Sequence, residues 1–207
     1  MHFLALARCA ARRTAATALF AAGIVAAGEA IADGAMLTGG LTSQPIGHYD
    51  FCKANPAECA IRSRMTRPEP MSGALWSLLR RVNTAVNEEV RPMNDLDIYG
   101  RDEVWAYPDA GLGDCEDYVL EKRKRLTASG LSLSSLLVTV VRKPDGEGHA
   151  VLTVRTDRGD FVLDNLTNAI RPWNQTGYRY LKRQSAEHTG RWVTIREGAA
   201  PLVGSVQ

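Results

Sequence analysis

Histidine is scarce in this chain of 207 residues, with four in all, and cysteine is no more frequent. No apolar run reaches the roughly 20 residues that a membrane-spanning helix needs, which argues against a span. Neither charge dominates, since the formal balance is only +2. That argues against nucleic acid or an anionic membrane surface as partner. No second Cys/His pair stands at metal-ligand spacing, so half a zinc site at Cys52 and Cys59 would find no other half. Repeats and low-complexity stretches are also missing, which leaves an ordinary globular domain.

What is present begins with a leader. Arg8, Arg12 and Arg13 precede an Ala-rich apolar run over 15–27, and Ala30-Ile31-Ala32 offers small residues for cleavage. Residues 1–32 are therefore expected to be a secretory signal peptide, cut before Asp33 rather than kept as an anchor. Cys9 leaves with it. The leader removes three arginines and one glutamate, so the formal charge of residues 33–207 is zero. Those residues are expected to form one domain, periplasmic or secreted, with no stable membrane insertion. Outside the cytoplasm thiols pair unless something keeps one free. Cys52 and Cys59 flank the turn-forming Asn55-Pro56, and a local disulfide is predicted there. Cys115 is then the odd thiol.

Residues 33–70 are rich in Gly, Pro, Thr and Ser and read as an extended leading segment. Ser72 looks like an N-cap, and Leu75, Leu78, Leu79, Val82 and Val86 mark one face of a helix running to about Val90, where Pro92 stops it. Residues 94–113 lack a period and read as a loop; their Trp105 and Tyr107 read as core or lid aromatics, with a cleft wall or an oxyanion donor as the alternative. A second helix is predicted from Gly113-Asp114, with Asp114 as cap, Asp117 completing a capping box, and an end at Gly130. Lys122, Arg123, Lys124 and Arg125 read as its solvated face. The period then changes to that of strands, at 136–141, 150–155, 161–163 and 191–196. Helices first and an antiparallel sheet after give an α+β plan.

Cys115 falls in the first turn of the second helix, where free N–H groups and the positive dipole end favour a thiolate and can receive an oxyanion. Its polar setting, Gly-Asp-Cys-Glu-Asp-Tyr, argues against an inert core cysteine. Of the histidines outside the leader, His48 and His188 lie in irregular, polar stretches and read as surface residues. His149 opens a strand. With Ala150, Leu152 and Val154 facing one way, His149 faces the other, and in the next strand Asp164 lies opposite to Phe161 and Leu163. If the two strands form a hairpin around 156–159, every register that buries both apolar sets together puts His149 and Asp164 on one face. A carboxylate there can orient the imidazole, as acyl-transfer chemistry requires. Asn165 reads either as an aid to Asp164 or as a turn residue.

Gly113-Asp114-Cys115-Glu116-Asp117-Tyr118, then Gly148-His149-Ala150-Val151-Leu152 and Val162-Leu163-Asp164-Asn165, resemble the bacterial transglutaminase-like cysteine proteinases. The resemblance implies a papain/transglutaminase-like fold, with Cys115 as nucleophile, His149 as base and acid, and Asp164 as orienter. It also implies a protease acting on a protein substrate in the periplasm or at the cell surface. The acidic neighbours Asp114, Glu116 and Asp117 would raise the thiol pKa by repulsion, and a bound calcium ion would remove that repulsion. The resemblance points to Asp114 and Glu116 as calcium ligands, with Asp117 as a cap. Acyl transfer to an amine with the same triad, and a non-catalytic calcium-responsive binding module, remain the alternatives.

Overall fold

The computed structural model describes residues 34–196; the expected signal peptide, its expected cleavage point and Cys9 lie outside the described residues. In chain order the elements are β1 (Leu37–Thr42), α1 (Ile46–Ala54), α2 (Pro56–Cys59), α3 (Gly73–Glu89), β2 (Arg91–Pro92), α4 (Asp95–Tyr99), β3 (Leu112–Gly113) and α5 (Cys115–Ala128). After them come β4 (Leu136–Arg142), β5 (Gly148–Thr156), β6 (Gly159–Leu163), β7 (Arg171–Pro172), β8 (Arg179–Gln184) and β9 (Trp192–Arg196). Seven strands form one antiparallel sheet in the order β1-β9-β8-β4-β5-β6-β7, while β2 and β3 pair in parallel as a separate ribbon. The α+β plan holds, with the helices ahead of six of the seven strands and β1 joining the sheet from in front of them.

The two long helices form where the apolar spacing predicts them. Ser72 caps α3, its hydroxyl accepting from the Leu75 amide at 3.1 Å, and Leu79, Val82 and Val86 are buried. Helix α5 ends before Gly130, whose φ of 97° suits a residue without Cβ. It packs on β4 and β5, and its Tyr118, Val119 and Leu126 join Leu79, Val86, Leu136, Ala150, Leu152, Val154 and Leu163 in the main core. The opposite face of the sheet carries a smaller core of Met36, Val141, Val151, Val162, Tyr180 and Ile195. Both faces of β4 and β5 are thus covered, so their sequences read as nearly continuous apolar runs.

Several expectations are corrected. The leading segment holds β1, α1 and α2 rather than extended chain alone, because Leu37–Thr42 pairs with β9, a contact that no local pattern announces. The stretch 94–113 contains α4 and β3. Strand β8 escapes sequence reading because its inward Arg183 looks polar, yet it is buried and ion-paired with Asp160 at 2.8 Å. Lys122 and Arg123 are not a solvated face: both are buried, and Arg123 Nε donates to the Leu136 carbonyl at 3.1 Å. Burial pushes the Lys122 ammonium down to about 7. His48 is no surface residue either; it is 1% exposed, among Phe51, Trp105 and Trp192. Helix α1 turns it inward beside Phe51, and its polar neighbours in sequence hide that.

The Cys52–Cys59 disulfide is formed, with Cα atoms 5.5 Å apart, and ties α1 to α2 across Asn55-Pro56. None of the described helices is long and apolar enough to cross a membrane.

Candidate active site

Helix α5 begins at Cys115, directly after the β3 ribbon, so the sulfur sits where the first-turn amides lack carbonyl partners. Gly113 allows this approach: a Cβ there would come within 2.7 Å of Asp117 Cβ and Oδ2. The thiol donates to Glu116 Oε2 at 3.1 Å. Burial pushes its pKa well above the ordinary value, and Glu116 adds charge repulsion and a hydrogen bond that holds the proton; the Ala150 amide opposes them. Left to these neighbours alone, Cys115 is a thiol.

His149 lies in β5, and Asp164 directly follows the adjacent strand β6. Leu152 pairs with Leu163 and Thr153 with Val162, which places both functional side chains on the sheet face that also carries Val151 and Val162. His149 Nε2 lies 2.9 Å from Asp164 Oδ1, and both residues are buried. With that nitrogen as donor, Nδ1 is the ring nitrogen able to accept a proton. Asp164 Oδ1 also accepts from the Leu166 amide at 3.1 Å, and Oδ2 accepts from the Tyr178 hydroxyl at 2.6 Å. Burial alone would raise this carboxyl, but the hydrogen bonds from His149 and Tyr178 outweigh it and hold the pKa below the usual value.

Cys115 and His149 line one cleft of about 470 Å³, with Met93 and Asn94 among its other residues and Asn165 and Leu166 following Asp164. A larger depression of about 570 Å³ on the outer face of α3, lined by Arg80, Arg81 and Thr84 among others, holds no cysteine or histidine. Asn165 lines the cleft but does not bond to Asp164; its Oδ1 is buried without a partner. Trp105 and Tyr107 do not line the cleft. Trp105 packs edge-on to His48 and Trp192, and Tyr107 donates to Glu58 at 2.5 Å, so both are core aromatics.

The acidic residues divide into two groups. Oxygens of Asp95, Asp114 and Asp117 all lie within 4.8 Å of one another, and a second group joins Asp114, Cys115 and Glu116. Asp114 is the N-cap residue of α5 but makes no side-chain cap bond. The Asp117 carboxylate accepts from the Ala106 amide at 2.8 Å, and the Asp114 amide also acts on it as a donor, so Asp117 keeps its half of the expected capping box and adds a loop contact. Burial raises all four carboxyls: Asp117 to about 7, Asp114 to about 8 with repulsion from Glu116 as its second cause, and Glu116 and Asp95 in the same direction. Asp95 Oδ1, Asp114 Oδ1 and Asp117 Oδ2 are buried with no hydrogen-bond partner. Three carboxylates this close, each with one orphaned hard oxygen, fit a cation such as calcium, whose ligands stand 2.3–2.6 Å from the ion. Sequence reading reached Asp114 and Glu116 and missed Asp95. It also missed Tyr178, which lies in an irregular stretch and bears no local mark of its role.

Residues 38–200 match the family described as bacterial transglutaminase-like cysteine proteinase BTLCP. No curated protein matches the chain. Among solved structures, calcium-bound LapG of Legionella pneumophila is similar in fold, with a TM-score of 0.51 and 24% identity, covering 67% of this chain and 78% of that one. EGTA-treated LapG from the same organism is similar with a TM-score of 0.50 and 25% identity, covering 62% and 70%.

Proposed function

The chain belongs to the bacterial transglutaminase-like cysteine proteinases, and from that membership we propose that it is an exported protease that cleaves a periplasmic or cell-surface protein with a triad of Cys115, His149 and Asp164. The observation that carries the triad is the 2.9 Å contact between His149 and Asp164, in the same cleft as a cysteine at a helix N-terminus. The thiol proton passes to His149 Nδ1 and the sulfur attacks the peptide carbonyl carbon. First-turn amides of α5 face the developing oxyanion. The imidazolium, held at Nε2 by Asp164, returns the proton to the amine as the C–N bond breaks, leaving a thioester. Water then loses a proton to His149 and attacks the thioester; the acid departs and the thiol is restored.

Calcium is the ion assigned to Asp95, Asp114 and Asp117, with Glu116 in the adjoining group of donors. When bound, it would supply the positive charge that offsets repulsion among these carboxylates and beside the sulfur. The orphaned oxygens support this, as does the calcium-bound state of a LapG structure of similar fold. Export is supported by the leader sequence and by a disulfide of the kind that persists in oxidising compartments.

Iodoacetamide labelling of the purified protein, mapped by mass spectrometry with and without calcium, tests the triad. Cys115 is expected to react faster at neutral pH than an ordinary thiol, and His149→Ala is expected to slow it by about 10²-fold, the lower end of general-base contributions. A Cys115 indifferent to both His149 and calcium would remove the proposal. Products carrying an added amine would point instead to acyl transfer.

A further inference from the structure

Tyr178 lies between a short 3₁₀ turn, Trp173–Gln175, and β8, and it meets both members of the buried pair at once. Its hydroxyl donates to Asp164 Oδ2 at 2.6 Å, and its ring stands edge-on to the His149 ring at a centroid distance of 5.7 Å and an interplanar angle of 69°. Its own backbone is held in place, since the Tyr178 amide donates to Thr176 Oγ1 at 3.3 Å, and that hydroxyl donates to the Trp173 carbonyl at 2.9 Å. We infer that Tyr178 is a positioning residue that sets the tautomer and ring plane of His149 through Asp164. The inference rests on the triad reading above.

The two carboxylate oxygens of Asp164 have different partners. Oδ1 serves His149 Nε2 and the Leu166 amide, while Oδ2 has the tyrosine hydroxyl. An O–H to carboxylate bond of this length is charge-assisted and among the stronger kinds. Asp164 is 3% exposed, and a cavity of about 50 Å³ lined by Asp164 and Tyr178 lies beside it; a water entering there would donate without the fixed direction of the phenol. Without the phenol the carboxylate loses its one fixed donor at Oδ2 and can rotate to seek another partner. Its hold on Nε2–H then weakens and the other imidazole tautomer, with the proton on Nδ1, gains population. That tautomer cannot take a proton from Cys115. The edge of the Tyr178 ring limits the same rotation on the histidine side. Burial and the neighbouring Asp164 charge push the Tyr178 phenol upward, which keeps it a donor.

The test uses the whole protein with saturating calcium chloride. The ¹⁵N spectrum of His149 in the wild type is read first and is expected to report the Nε2–H tautomer; a predominant Nδ1–H form overturns the inference without any variant. Tyr178→Phe keeps the ring and removes only the hydroxyl. It is expected to slow iodoacetamide alkylation of Cys115 about ten-fold, the size of one lost hydrogen bond to a charged group, and to shift the His149 tautomer. In an Asp164→Asn background the same substitution is expected to change the rate little, because its route of action is gone. Wild-type reactivity and tautomer in Tyr178→Phe would overturn the inference, as would an equal slowing in the Asp164→Asn background. An ordinary, inactivated Cys115 in the wild type is a different outcome: it removes the triad reading, and the inference falls with it.

Discussion

His48 and His149 are both buried histidines, and their neighbours decide what each can do. His149 faces a carboxylate that accepts its proton. His48 faces mostly donors, with the Trp192 indole N–H 3.2 Å from Nδ1 and the Gln184 amide nitrogen 3.1 Å from Nε2, while Gln44 Oε1 lies 3.3 Å from Nδ1 as an acceptor. Protonation would turn Nε2–H toward the Gln184 amide, which can only donate, and leave Gln44 to serve Nδ1–H. Burial, and then the Arg123 charge, lower the His48 pKa to about 4. The sign follows: between the unfolded value of about 6.5 and a folded value near 4, only the unfolded chain binds this proton. Stability is therefore lost as pH falls through that window, by on the order of 3 kcal/mol. Urea unfolding at pH 7 and pH 4.5 should show His48→Gln losing less stability than the wild type over that interval. Parallel losses would mean that other groups carry the acid sensitivity. From sequence the two histidines were told apart by strand parity for His149, while the inward turn of His48 depended on α1 packing against strands from the far end of the chain.

At the scale of elements, the first turn of α5 carries Cys115, Glu116 and Asp117 and is joined through Gly113 to the β2–β3 ribbon. Gly113→Ala would drive a Cβ into Asp117, with 2.7 Å to both Cβ and Oδ2. The Asp117 side chain would have to shift, which disturbs its place beside Asp95 and Asp114. The expected result is an unchanged far-UV spectrum with a rise in melting temperature on adding calcium that is smaller than in the wild type; an undiminished rise would show that Asp117 does not act with the ion. The helix itself was legible because Tyr118, Val119 and Leu126 mark an apolar side and Gly130 an end. Its buried basic residues were not. A long aliphatic stem lets Lys122 and Arg123 fill interior space, and nothing in their sequence distinguishes that from a solvated face.

At the scale of the whole molecule, the acidic cluster joins α4 to the start of α5, and the Ala106 amide on Asp117 ties in the intervening loop. A cation bound there stabilises only the folded chain, because unfolding separates Asp95 from Asp114 and Asp117. Calcium at about 100 times its Kd would contribute about 2.7 kcal/mol, or roughly 5–10 °C for a domain of this size. Scanning calorimetry with calcium and with EGTA checks this, and Asp95→Asn is expected to lose most of the shift. If Asp95→Asn keeps the full shift, the ion is held without α4.

The sequence by itself determined the α+β plan, both long helices, the central hairpin, the Cys52–Cys59 bridge and the facing of His149 and Asp164. Each of these follows from local periodicity, a cap, a turn, or the parity of neighbouring strands, which are short-range properties of the chain. Only the tertiary structure decided that Asp95 joins Asp114 and Asp117, that Tyr178 completes the hydrogen bonding of Asp164, that β1 closes one edge of the sheet, and that His48, Lys122 and Arg123 lie inside. These depend on which surfaces meet after the chain has crossed the sheet. Burial and hydrogen-bond satisfaction between distant segments set those meetings, and they leave no period in the residues that make them.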